Sequence, residues 1–576
     1  MFLNKICIVG PFILLLISSS TTCHVKRVVC MSSKSATTHQ KPLGFGHTIW
    51  GDFFINYTPQ KFQMQNSEEW MRDRIDKLKK EVQGLFEDCK DVVQILDLVD
   101  VLQRLGIDHL FEEQIASAIS SIHSAEFSSS SLHEVALRLR LLRQQGFWVS
   151  PEVFNIFKNE DGSFINDVTM DPKGLLSLYN AAYLLTHNEG ALEEAILFAR
   201  HHLELMRDSL KFPLAEQVTR ALCVPLPRTL KRVEALNYIL EYSLEERTYN
   251  PSILELAKLD FNLLQHLHVK ELKAISRWWV DLSSAIDLDY VTRERVVECY
   301  FSSYAVHYEK EQARARMIFA KICQLLTVLD DTYDGHATLE ECRKLDEAIQ
   351  RWDESVVSIL PEYLKKFFLK VLSNFEEFED ELQPHEKYRS AYIRKVFQTV
   401  SRSFLQESEW FHHNYTPSFE EHVNVAIMSV GGQAQCVGLL FGMGDVATKE
   451  VFEWAIGCTS AIRAYGEVAR YMNDIAAFKN NGRNEKDVIT SVECYMKEHK
   501  VTSEVALVKI DALVEDAWKT INQALFENRV PLSVIQRVTN MTKVTALFFH
   551  DGRDAYTDSK DLESTIKSHF VDPVRL

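Results

Sequence analysis

Residues 313–334 read Ala313-Arg314-Ala315-Arg316-Met317-Ile318-Phe319-Ala320-Lys321-Ile322-Cys323-Gln324-Leu325-Leu326-Thr327-Val328-Leu329-Asp330-Asp331-Thr332-Tyr333-Asp334. The pattern predicts a helix over Ala313 to Leu329 whose C-terminal half is almost wholly apolar. It ends in three aspartates. On a helix Asp330 and Asp334 lie one turn apart on one face, with Asp331 rotated by about 100°. Carboxylates stacked at an apolar helix end repel one another. A hard divalent cation relieves that repulsion, and oxygen ligands with room for waters and phosphate suit Mg²⁺. The bland alternative is a solvated acidic helix end.

Working outward, the same helical spacing recurs over Glu68 to Leu85, Asp91 to Leu105, Ser131 to Gln145 and Leu192 to Leu210. Asn159-Glu160-Asp161-Gly162 and Asp171-Pro172-Lys173-Gly174 read as turns between such stretches. Asn250-Pro251-Ser252 opens a further helix, with Ser252 offering the N-cap. Glycine and proline together are 34 of 576 residues, about half the usual share of roughly 12%. Few turn-makers mean few turns and long helices. The expected fold is all-α in two domains, residues 46–255 and 256–576, preceded by a leader over 1–45. A net charge of −17 without a basic cluster argues against a nucleic-acid partner.

The leader is compositionally separate. Lys5, Lys26, Arg27, Lys34 and Lys41 occur before the first acid, Asp52, so residues 1–51 carry +5 and the rest −22. The twelve-residue apolar run Ile6 to Ile17 is too short to span a bilayer but suits a signal-peptide core. Its Ser-rich, acid-free character equally suits a plastid transit peptide. A third reading makes Met31 the working start. The eleven cysteines are odd in number, scattered and free of CxxC pairs, which points to buried thiols in a reducing compartment and a cytoplasmic mature protein.

The neighbourhood of the aspartates favours metal chemistry. Arg293-Glu294-Arg295 lies upstream, and Arg470-Tyr471-Met472-Asn473-Asp474 ends another apolar stretch downstream. Guanidinium groups bind diphosphate through their planar fork. With Ile49-Trp50-Gly51-Asp52-Phe53-Phe54, Gly146-Phe147-Trp148-Val149-Ser150, Leu176-Ser177-Leu178-Tyr179-Asn180-Ala181-Ala182-Tyr183, Arg277-Trp278-Trp279, Gln350-Arg351-Trp352-Asp353 and Glu493-Cys494-Tyr495-Met496-Lys497, the chain resembles the plant class I terpene synthases of the short sesquiterpene type. The resemblance is collinear from about residue 42 to the C-terminus.

That resemblance implies a catalytic C-terminal helical bundle and a catalytically silent N-terminal domain. It implies Asp330, Asp331 and Asp334 around two Mg²⁺ ions, and Arg293, Arg295 and Arg470 on the diphosphate. Asn473 and Asn481 would hold a third ion, with Mn²⁺ an acceptable substitute. Asp554 and Tyr556 would contribute to catalysis. A monomer acting on farnesyl diphosphate is expected, because Gln40-Lys41 stands where the geranyl-diphosphate branch carries paired arginines. No DxDD motif and no second DDxxD occur, which excludes protonation-initiated cyclisation and disfavours chain elongation. Three departures stand out. The second metal motif has Ala477 and Asn481 in place of a hydroxyl and a carboxylate, with Glu485 one turn on. Ser302 replaces a pocket tryptophan, and Phe549 a tyrosine. The polar stretch Asn480 to Asp487 reads as a lid, and Gly431-Gly432 as a helix break exposing carbonyls. Tyr300, Phe301 and Tyr304 read as core. A catalytically impaired homologue and a monoterpene synthase remain the alternatives.

Overall fold

The computed structural model describes residues 48–58, 67–245, 248–286, 293–480 and 489–576. Among them there is no β-strand, only one antiparallel bridge between Lys158 and Phe164. In the first half, α1 (Glu68–Asp88) is capped by the Ser67 hydroxyl and buries Met71, Ile75, Leu78 and Val82 at three- and four-residue spacing. Helices α2 (Leu132–Gln144) and α3 (Pro172–Ala182) pack on one another. Asp171-Pro172 is therefore a helix start and not a turn. Proline sits at the first helical position, where no N–H is needed, and the Asp171 carboxylate accepts from Gly174 N at 2.9 Å.

The Arg143 side chain is wholly buried in this half. It makes two bonds to Glu189, at 2.6 and 2.7 Å, and others to the carbonyls of Val149 and Leu184. Glu189→Ala leaves that guanidinium uncompensated. The expected loss is about 3–5 kcal/mol of stability, read as a lowered midpoint in urea titration.

Helix α4 (Pro251–Ile286) runs for 36 residues. Asn250, not Ser252, caps it, its side-chain oxygen accepting from Ser252 N at 2.9 Å; with proline at the first helical position the cap sits two places before Ser252. Ile253 to Leu259 belong to the first core, and Leu264 to Ile286 to the second. The boundary expected at 255/256 thus falls inside one continuous helix.

In the second half, α5 (Val296–Val306) packs on α6 (Ala313–Asp331), and α7 (Arg389–His412) on α8 (Phe419–Ser429) and α9 (Gly432–Phe441). Helix α10 (Ser460–Lys479) packs on α9, on α11 (Ser503–Ala524) and on α12 (Leu532–Phe548). Since α6 also meets α9, and α12 also meets α5, these helices close a ring. Residues 419–441 are apolar and long enough to cross a membrane, but they are broken at Gly431 and mostly buried in the protein. Seven described cysteines form no disulfide, with Cys89 and Cys458 only half-buried.

Candidate active site

Helix α6 delivers its aspartates through a change of pitch. Thr332–His336 form a π-turn, in which Ala337 N donates to Thr332 O at 2.9 Å. Asp331 points inward and is almost fully buried, while Asp330 is half-buried. Arg293 closes on both. Its Nε donates to Asp331 Oδ1 at 2.5 Å, its backbone N–H to Asp331 Oδ2 at 3.2 Å, and its Nη2 to Asp330 Oδ2. Burial raises the Asp331 pKa, and Arg293 opposes the rise.

Asp334 is open to solvent by area yet ringed by protein, as a group on a cleft wall is. Dense surroundings push its carboxyl well above the usual range, and the charges of Asp330 and Glu407 push it further. Glu407, on α7, was not singled out in the sequence. It is buried, and burial raises its pKa against the pull of Arg470, the Ser429 hydroxyl and His422. The Ser429 hydroxyl donates to its Oε1 at 2.8 Å. A lone Glu on an amphipathic helix carries no spacing signal; only tertiary packing turns it inward.

Arg470 on α10 faces this carboxylate wall. Its donors reach Ala426 O at 3.2 Å, Ser429 Oγ at 3.3 Å, Asn473 Oδ1 at 3.3 Å and Asp474 Oδ1 at 3.2 Å. Asp474 is an orienting group. Burial alone would raise its pKa, but Arg470, His422 and the Ser491 N–H, at 2.7 Å, hold it at about 2. Asn473 is half-buried beside Arg470, and Ala477 is exposed with no oxygen to offer. Asn481, Glu485 and all of the expected lid beyond Asn480 lie outside the described residues.

Arg295 and Asp554 are placed away from these carboxylates, while Tyr556 lies close enough to act on the Arg293 charge and borders the cleft. Arg295 turns away from the carboxylates and is buried, donating to the carbonyls of Glu294 and Tyr556, both at 2.7 Å, and of Thr557 at 2.5 Å. Starting the helix at Val296 puts Arg295 in the cap turn, and that turn directs its side chain to the C-terminal segment. The Tyr556 hydroxyl meets Thr327 Oγ1 at 2.6 Å and Cys299 Sγ at 3.4 Å. Asp554 accepts from Thr557 N at 2.9 Å within its own turn. Helix α5 is buried throughout. Tyr300, Phe301 and Tyr304 pack around Phe570 as core, and the Ser302 hydroxyl donates to Glu298 O at 2.9 Å. Gly431 adopts φ +77°, and a Cβ on Gly432 would lie 3.0 Å from Gly466 Cα. At this break Gly431 N donates to Met428 O at 3.0 Å and Gln435 N to Gly431 O at 2.8 Å.

The charges of Asp330 and Glu407 thus converge on Asp334, and the Arg470 guanidinium faces Asp330 and Glu407. The family profile described as "Terpene synthase, N-terminal domain" matches residues 49–222, and "Terpene synthase family, metal binding domain" matches 280–520. The chain belongs to the terpene synthase family. Tau-cadinol synthase from Zea mays is 63% identical over 548 residues, covering 94% of this chain and 99% of that protein. Alpha-copaene synthase from Zea mays is 56% identical over 543 residues, covering 92% and 99%. The crystal structure of isoprene synthase from grey poplar with three Mg²⁺ ions and dimethylallyl-S-thiolodiphosphate matches with a TM-score of 0.80 at 29% identity, over 91% of this chain and 99% of that one.

This terpene synthase uses a divalent metal, and its donor set fits one. Among the described residues no three acidic, His or Cys side chains form a tight preassembled cage. A loose set of carboxylates matches a cation that keeps waters and takes phosphate oxygens as further ligands. Asp330, Asp334 and Glu407 supply hard anionic oxygens in excess of what Arg293 neutralises.

Proposed function

We propose that the protein is a sesquiterpene synthase that ionises farnesyl diphosphate and cyclises the resulting allylic cation to a hydrocarbon or alcohol, releasing diphosphate. The observation that carries this reading is the facing of Asp330 and Glu407 by Arg470, with Asp334 beside both carboxylates. Mg²⁺, three ions in the full complement, supplies Lewis-acid stabilisation of the leaving diphosphate when bound. Asp330, Asp334 and Glu407 would hold it on one wall and Asn473 on the other. Arg470 places a fixed positive charge where negative charge develops, and Arg293 is poised to exchange its aspartate partners for diphosphate oxygens. The apolar interior keeps water from the cation. The maize relatives named for cadinol and copaene support a C15 skeleton. Purified protein with Mg²⁺ should convert farnesyl diphosphate to volatile products with a higher kcat/KM than geranyl diphosphate, measured by gas chromatography. A strong preference for geranyl diphosphate would overturn the substrate, and absence of any product would favour the impaired homologue.

Ala477 gives that alternative its one structural motive. Replacing Ala477 with Ser and Asn481 with Glu restores a hydroxyl and a carboxylate beyond Asn473. Each added ligand favours the metal-bound state. The double variant should reach half-maximal rate at a several-fold lower Mg²⁺ concentration. An unchanged requirement would remove Asn473 and Asn481 from the ligand set.

A further inference from the structure

Glu298 is fully buried at the third position of α5, and nothing in the chemistry above uses it. Its Oε1 accepts from the Trp50 indole N–H at 3.0 Å, a contact spanning 248 residues. Its Oε2 is buried without a hydrogen-bond partner of good geometry, with Ser559 beside it. Arg295 is the charge that faces it. Arg295 in turn holds the carbonyls of Tyr556 and Thr557, and the Tyr556 hydroxyl rests on Thr327, one turn before the aspartates of α6. Trp50 belongs to an aromatic run, Trp50, Phe53, Phe54 and Tyr57, that packs on α4 and the C-terminus; Tyr57 donates to Val571 O at 3.2 Å.

A glutamine would satisfy Trp50 as well as a glutamate does, because either side-chain oxygen accepts. Keeping a carboxylate here costs desolvation, and burial does lift the Glu298 pKa to about 6. The charge therefore answers to Arg295, not to Trp50. We propose that Glu298 is a positioning residue for the cyclisation: it anchors the Trp50 segment on one side and balances Arg295 on the other, fixing the Tyr556 wall of the cleft against α6. Loosening that wall widens the choices open to the cation, so the readout is the product spectrum more than the rate.

Two variants separate the two contacts. Glu298→Gln keeps the bond to Trp50 and removes the charge; Trp50→Phe removes the bond and keeps the charge. Hydrogen exchange over residues 553–559 should rise about tenfold in Glu298→Gln and less in Trp50→Phe, with melting temperatures close to the parent. The share of minor products from farnesyl diphosphate should at least double in Glu298→Gln. Parental exchange at 553–559 in Glu298→Gln would overturn the proposal, and so would a parental product spectrum. The inference rests on the synthase reading only for its product arm. A parent that makes no product from farnesyl diphosphate refutes that reading, while the exchange arm still decides on Glu298.

Discussion

Alanine at Asp334, or at Asp330, is expected to lower kcat by about 10³-fold at saturating Mg²⁺, the scale of losing a preorganised charge at the reacting centre. At Asp334 the change should not destabilise the fold. Asp334 stands where the crowding of surrounding protein and the charges of Asp330 and Glu407 all oppose its ionisation. Removing it relieves repulsion in the metal-free protein, so the melting temperature of Asp334→Ala should match or exceed that of the parent. Steady-state turnover and a melting curve measured on the same preparation check both halves. Retained activity in both alanine variants would move the chemistry away from α6.

Arg470→Met should fail in both respects. Its guanidinium is the counter-charge for Asp474 and Glu407, which are almost wholly buried. Without it two carboxylates remain in a poor environment, and a loss of about 3–5 kcal/mol is expected alongside a fall in kcat of roughly 10²–10³-fold. Arg470→Met combined with Asp474→Asn should recover part of the stability and none of the rate. That non-additivity, read in urea titrations of the single and double variants, would assign Asp474 to orientation.

The parts of this site that a reader of the sequence could find are those whose chemistry follows from spacing along one element. Asp330, Asp331 and Asp334 declare themselves because an apolar helix has no local reason to end in three acids. Arg470 and Gly431-Gly432 are legible for similar reasons, one flanking a metal motif and the other doubling a residue that weakens a helix. Glu407 is invisible because its significance comes from Asp330, Asp334 and Arg470 on other helices. Arg295 fails in the opposite sense: the Arg-x-Arg pair suggested one task for two side chains, but a helix beginning at the next residue sends them in different directions. Helix positions were read to within a few residues from periodicity alone. Asp171-Pro172 reads as a turn because proline marks a helix start as readily as a turn, whereas Asn250-Pro251-Ser252 reads correctly as a helix start and only its cap falls on Asn250 instead of Ser252.

The 36-residue helix α4 spans about 54 Å at 1.5 Å per residue, and its two ends are packed into different cores. Melting either core frays the rod on which the other is assembled, so both halves should unfold in a single cooperative transition. Deleting residues before 250 would strip the cover from Ile253, Leu254, Leu256 and Leu259 and leave an adhesive stripe at the head of the catalytic bundle. The N-terminal half thus acts as a splint for the bundle that follows it.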